Sequence, residues 1–170
     1  MPLAEAVGQL TAAFERIAAT RMAGLPMNNP ALRVAAVGFR PSHENHLVGV
    51  LITPWAINLM LLAAKPSRDL HLAADCRQAW DFPSGSYDFM GGEEAECGAY
   101  QFCSLFSPVF EFPDQATAET TANEVMNALF LDVEANVDHQ EAARMSGRSV
   151  LQVPTSRRGF LRGVIGGLKA

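Results

Sequence analysis

Apolar residues at Leu3, Val7, Leu10, Phe14 and Ile17 recur at steps of four and three, which gathers them on one face of an α-helix over about residues 2–22. Gly24 and Pro26 supply its stop. Met27-Asn28-Asn29-Pro30 is turn chemistry, and residues 32–39, with Val34, Val37 and Phe39, predict a short strand. Residues 41–45 then predict a loop. The run 47–52 is apolar on both faces, the pattern of a central strand covered on both sides. After the break at Thr53-Pro54-Trp55, the apolar run 57–62 predicts a strand paired with it.

Further along, Gln78, Trp80 and Phe82 alternate with Arg77, Ala79 and Asp81, and Tyr87 and Phe89 alternate with Ser86 and Asp88 beyond Pro83-Ser84-Gly85. That is a hairpin signature. Residues 98–106 predict another strand, with Tyr100, Phe102, Ser104 and Phe106 on one face and Ala99, Gln101, Cys103 and Leu105 on the other. Asp114 offers an N-cap, and Ala118, Ala122, Val125, Met126, Leu129 and Val133 stripe a second helix to about Asp132. Helix, consecutive strands, helix, with no βαβ alternation, predicts an α+β fold: a mainly antiparallel sheet packed against an N-terminal and a C-terminal helix. From residue 144 onward Gly147, Pro154, Gly159, Gly163, Gly166 and Gly167 predict a flexible arm with at most a short helix near 160–165.

Length and charge sharpen this division. A chain of 170 residues, 49% hydrophobic, has material for one ordinary domain. Residues 1–141 carry all 18 acidic groups against 7 basic ones, a net −11, whereas 142–170 carry 6 basic and no acidic groups. The expected organisation is a single α+β domain over 1–141 followed by a basic C-terminal arm over 142–170. The longest apolar run, 47–62, is interrupted by Thr53, Pro54 and Asn58, so no membrane span is expected, and the N-terminus lacks the basic region of a secretory signal. A cytoplasmic protein is the expectation.

Candidate chemistry is sparse. Cys76, Cys97 and Cys103 are an odd set without a C-x-x-C pair, which speaks against a disulfide framework or a zinc knuckle and predicts reduced, mostly buried thiols. His43, His46 and His71 have no helical i,i+4 spacing and read as surface or satisfied histidines. The run Glu93-Glu94-Ala95-Glu96 reads as a solvated loop, and neither Gly-rich phosphate motif is present. An acidic body argues against nucleic acid. No catalytic residue, metal or cofactor follows from these residues.

Several stretches in order carry a resemblance: Arg21-Met22-Ala23-Gly24-Leu25-Pro26 with Asn29-Pro30-Ala31-Leu32 and Val37-Gly38-Phe39; Val48-Gly49-Val50-Leu51-Ile52-Thr53-Pro54-Trp55; Phe82-Pro83-Ser84-Gly85; and Gly98-Ala99-Tyr100-Gln101 through Cys103-Ser104-Leu105-Phe106-Ser107-Pro108. Over about residues 22–130 the chain resembles the HybE family of [NiFe]-hydrogenase assembly chaperones. The resemblance implies a non-enzymatic accessory protein that binds hydrogenase large- or small-subunit precursors during cofactor insertion and helps withhold an immature enzyme from twin-arginine export. Some relatives carry an attached rubredoxin domain with two C-x-x-C pairs, absent from this sequence.

For a protein that grips a peptide, the candidate surface is Trp55, Tyr100, Phe106, Pro108, Phe110 and Phe112, with residues 107–113 held extended by flanking prolines. In the arm, Ser156, Arg157, Arg158, Phe160, Leu161 and Arg162 resemble the twin-arginine motif, S-R-R-x-F-L-K, and read either as a mimic of a client's signal peptide or as a solvated basic tail with a chance match. Two other readings stay open: a small thiol enzyme built on Cys103 or on the acidic run at 93–96, and a metal-cofactor scaffold using the three cysteines and the histidines.

Overall fold

The N-terminal stripe forms α1 (Leu3–Ala19), which buries Ala6, Leu10, Ala13, Phe14 and Ile17. It stops before Met22: Thr20 leaves the helical conformation and its N–H bonds to the Ile17 carbonyl. Then come β1 (Ala35–Ser42), β2 (His46–Ile52), β3 (Ile57–Ala63), β4 (Arg77–Phe82), β5 (Gly85–Glu94), β6 (Gly98–Phe106) and α2 (Gln115–Leu129). This computed structural model describes residues 1–65 and 67–132. The arm 142–170, with Ser156, Arg157, Arg158, Phe160, Leu161 and Arg162, lies outside the described residues, as does Val133.

The six strands form one sheet in the order β1-β2-β3-β6-β5-β4, and each ladder is antiparallel. The α+β class and the antiparallel sheet with its two helices are as the pattern predicts, and β2 and β3 are neighbours in unbroken register. The helices take opposite faces. α1 packs on Leu47, Leu51, Met60, Leu62 and Tyr100, whereas Ala118, Ala122, Val125 and Met126 of α2 pack on Val48, Val50, Ile52, Leu59, Leu61 and Cys103. Doubly apolar β2 and β3 are thus the middle layer of a three-layer stack.

Several boundaries differ from the sequence expectation for physical reasons. β1 starts at Ala35, not Leu32, because the Arg33 N–H is held by the Gln115 side chain at the start of α2. It continues through Pro41 and Ser42, which pair with Leu47 and His46, so the loop expected at 41–45 shrinks to a turn. Pro41 is tolerated there because β1 is an edge strand. Gly38, at φ +67°, lies where the register shifts, and a Cβ on it would fall 2.9 Å from Met126 Cγ, so the edge bends directly against α2. On β6, the register slips between Ile57 and Asn58, so Phe106 pairs with Ile57 and joins the α2-side core instead of sharing a face with Tyr100 and Phe102.

β5 also outlasts its expected end at Phe89, and Glu94 is not a solvated residue. Arg16 and Arg21 of α1 and the turn after it both bind Glu94, and Arg16 binds Glu96 as well. Contact with both arginines holds the Glu94 carboxyl below the usual carboxylate range despite the opposing effect of its burial. Cys103 is buried and Cys97 half-buried, but Cys76 is exposed, against the expectation of mostly buried thiols.

The sheet curls until its first turn meets its last strand. His43 Nε2 donates to the Asp81 carbonyl at 2.9 Å, so Nδ1 is the nitrogen free to accept from Ser42 Oγ at 3.0 Å. His46 stacks edge-on against Trp80 at 5.0 Å, and neither of its buried ring nitrogens has a partner. Burial, and next His43, pushes the His46 imidazole below its ordinary value, with Asp69 opposing. The folded protein therefore holds that proton less well than the unfolded chain. Its stabilising effect is complete above the ordinary histidine value of about 6.5 and is lost as pH falls through the lowered folded value. Melting temperature should accordingly drop between pH 7.5 and pH 5.5, and His46→Phe should flatten that slope in a calorimetric series.

Candidate functional site

Three connections meet at one end of the sheet: residues 20–34, the β2–β3 turn at 53–56, and the β6–α2 loop at 107–114. Asn29 ties them together. Its N–H donates to the Pro54 carbonyl at 2.7 Å, and its Nδ2 donates to the carbonyls of Val109 and Phe112 at 3.0 and 2.9 Å. Its Oδ1 accepts from the Ala31 N–H at 3.0 Å, and the residue is only 6% exposed. Thr53 fixes the turn from within: its hydroxyl donates to the Ala56 carbonyl at 2.7 Å and accepts from the Ala56 N–H at 3.0 Å. Trp55 is carried on that turn.

Below this cluster, beside the end of α1, an open cleft of about 270 Å³ runs along β6. Its lining is Phe14, Trp55, Ala56, Asn58, Tyr100, Phe102, Ser104 and Ser107. Phe14 meets Tyr100 edge to face at 5.7 Å, and Tyr100 meets Phe102 at 6.2 Å, so one wall is a continuous aromatic strip. Gly92 makes room for it, since a Cβ there would lie 2.5 Å from the Tyr100 ring. Burial, and secondarily Glu94, pushes the Tyr100 hydroxyl up to about 12, so it stays a neutral phenol. Past Phe102 the α1-side face of the sheet is open, with Ala79, Asp88 and Met90 exposed, and a second cleft of about 380 Å³ shares Phe102 and reaches Cys76.

One polar atom in the first cleft stands out. Asn58 is 8% exposed and its Oδ1 has no hydrogen-bond partner in the protein. An unpaired buried carbonyl of this kind costs about 1–3 kcal/mol.

The structure separates the six aromatic and proline candidates. Trp55 and Tyr100 line the cleft together. Pro108 and Phe110 are exposed on the adjoining loop, Phe110 at 57%. Phe106 and Phe112 are not surface residues: they are 7% and 6% exposed and meet edge to face at 5.2 Å in the α2-side core, where they support the loop from beneath. Sequence reasoning missed Phe14 and Phe102 as cleft residues, and gave Asn29 only a turn and Asn58 only a break in an apolar run, with no place at the site for either. The only available signals were an Asx-Pro turn at Asn29 and an amide inside an apolar run at Asn58.

Cys97 is not poised as a nucleophile. Burial, then Glu94 and Glu96, pushes the Cys97 thiol up to about 11, the reverse of what a nucleophile needs. Among the described residues, no helix is long and apolar enough to cross a membrane. The cleft is thus suited to holding apolar side chains next to a hydrogen-bonding group, with no pair of groups placed to move a proton.

The family described as "[NiFe]-hydrogenase assembly, chaperone, HybE" matches residues 5–163. The chain is 43% identical to protein HoxT of Cupriavidus necator over 135 residues, covering 72% of this chain and 74% of that one. It is 36% identical to the hydrogenase expression/formation protein HupJ of Bradyrhizobium diazoefficiens over 156 residues, 92% of this chain and 86% of the relative. The solution structure of HybE from Escherichia coli shares the fold, with a TM-score of 0.56 at 23% identity over 75% of this chain and 77% of that one. With the family match spanning nearly the whole sequence, the chain belongs to the HybE family of [NiFe]-hydrogenase assembly chaperones.

Proposed function

We propose that the chain binds precursors of [NiFe]-hydrogenase subunits through the aromatic cleft along β6, holding them in the cytoplasm during cofactor insertion and delaying their twin-arginine export. The observation that carries this reading is the aromatic lining of the cleft, where the partly exposed Trp55 and Phe102 stand beside the buried Phe14 and Tyr100, bordered by the exposed Phe110 and Pro108. Aromatic rings on fixed strands give large contact area with little side-chain entropy to lose, which is what recognition of an apolar segment requires. Charge supports the same reading. Residues 1–132 hold 15 acidic and 7 basic groups, a surface that attracts a cationic segment.

Affinity capture from cells expressing a hydrogenase operon tests it, because a chaperone of this kind should retain unprocessed precursors. Recovery of mature enzyme alone would contradict the proposal. Trp55→Ala should keep the fold, since Trp55 is only partly buried and sits on a turn fixed by Thr53 and Asn29. Its affinity for the captured precursor should fall by about 2 kcal/mol, roughly thirtyfold, as expected for a central tryptophan. Unchanged capture by this variant would move the binding surface elsewhere.

A further inference from the structure

We infer that Asn58 is the specificity-determining acceptor of the cleft, taking a hydrogen bond from a backbone N–H of an extended, cation-flanked client segment. The inference rests on the cleft being the client site and deepens that reading. Asn58 stands in the middle strand of the sheet, opposite Leu51 on β2 and Ser104 on β6. The other residues of β3 on its face, Met60 and Leu62, belong to the α1-side core, where an amide is out of place. Yet Asn58 lines the cleft with Phe14, Trp55 and Phe102, and its Oδ1 has no partner in the protein. A buried, unpaired acceptor on a residue that lines a groove selects ligands that bring a donor.

An extended peptide fits this arrangement because its side chains alternate from face to face, so a segment lying along β6 can put an apolar side chain against the aromatic strip and an N–H towards Asn58. Its flanks are expected to be basic, since Glu111 and Asp114 stand exposed on the neighbouring loop.

The test is calorimetric titration of the full chain with a synthetic copy of the twin-arginine signal peptide of a hydrogenase small-subunit precursor. Backbone nitrogens along its apolar stretch are N-methylated one at a time. At one position methylation should weaken binding to the native chain about tenfold and have no effect on Asn58→Ala, which should itself bind the unmodified peptide about tenfold more weakly. Asn58→Leu should melt at a higher temperature than the native chain while losing the same affinity, a divergence that a merely structural residue would not give. Equal affinity of native chain and Asn58→Ala, with Trp55→Ala still impaired, overturns the role of Asn58 and leaves the cleft standing. If neither variant differs from the native chain, or the native chain does not bind the peptide, the cleft assignment falls as well.

Discussion

Asn29→Ala is expected to destabilise the protein by about 3 kcal/mol, because it removes three side-chain hydrogen bonds and leaves their backbone partners in a largely buried site. For a domain of this size that corresponds to a fall in melting temperature of roughly 6–12 °C. Asn29→Asp separates donors from acceptor. The carboxylate keeps the contact from Ala31 but offers no donor to the carbonyls of Val109 and Phe112, so it should be at least as harmful as alanine. The damage should also be local. With the clamp gone, the turn carrying Trp55 and the loop carrying Phe110 lose their common anchor, and amide exchange at 107–113 should rise well before exchange in β2 and β3. A uniform rise across the sheet would mean that Asn29 supports the core in general and not the cleft end in particular.

Most of the architecture was legible because its signals are local. A helical stripe, a doubly apolar run and a two-faced hairpin each report their own surroundings, and Asp114 caps α2 as its type suggests, accepting from the Thr117 N–H at 2.7 Å. What escaped depends on partners distant in sequence. The slip between Ile57 and Asn58 that turns Phe106 over is a property of two paired strands, invisible in either alone. Glu94 looked like part of a soluble acidic run until the fold brought up Arg16 and Arg21, more than seventy residues away.

The cleft was half legible for a related reason. Aromatic residues in strands announce burial somewhere, but the face is decided by what covers it. Trp55 lies partly exposed on a turn at the cleft and Tyr100 forms its wall under α1, whereas Phe112 lies under the loop that Asn29 fastens. The two asparagines carry opposite lessons. Asn29 sits in a turn motif and spends its whole side chain on the fold, while Asn58 sits in a strand and leaves its carbonyl unspent.

Gln101→Leu should be the most costly single change to the opposite face, at about 4 kcal/mol, although it keeps the side chain's approximate volume. Gln101 is fully buried and serves three partners: its Oε1 accepts from Trp80 Nε1 at 2.7 Å, and its Nε2 donates to Gln78 Oε1 at 2.8 Å and to the Leu70 carbonyl at 3.3 Å. It thereby fastens the β3–β4 connection and the edge strand β4 onto β6. Leucine leaves an indole N–H and two carbonyl oxygens unpaired where little water reaches. The penalty belongs to those orphaned groups more than to the lost bonds, so apolar replacement of the neighbours should return part of it. Trp80→Phe and Gln78→Leu added to Gln101→Leu should together recover 1 kcal/mol or more, a strongly non-additive result in urea titrations. Because this network faces α2 and the cleft faces α1, the folded fraction of Gln101→Leu should bind precursor with native affinity. Loss of affinity in step with stability would show that the two faces of the sheet are coupled, and that the cleft depends on the curl which Trp80 and His46 impose on the sheet.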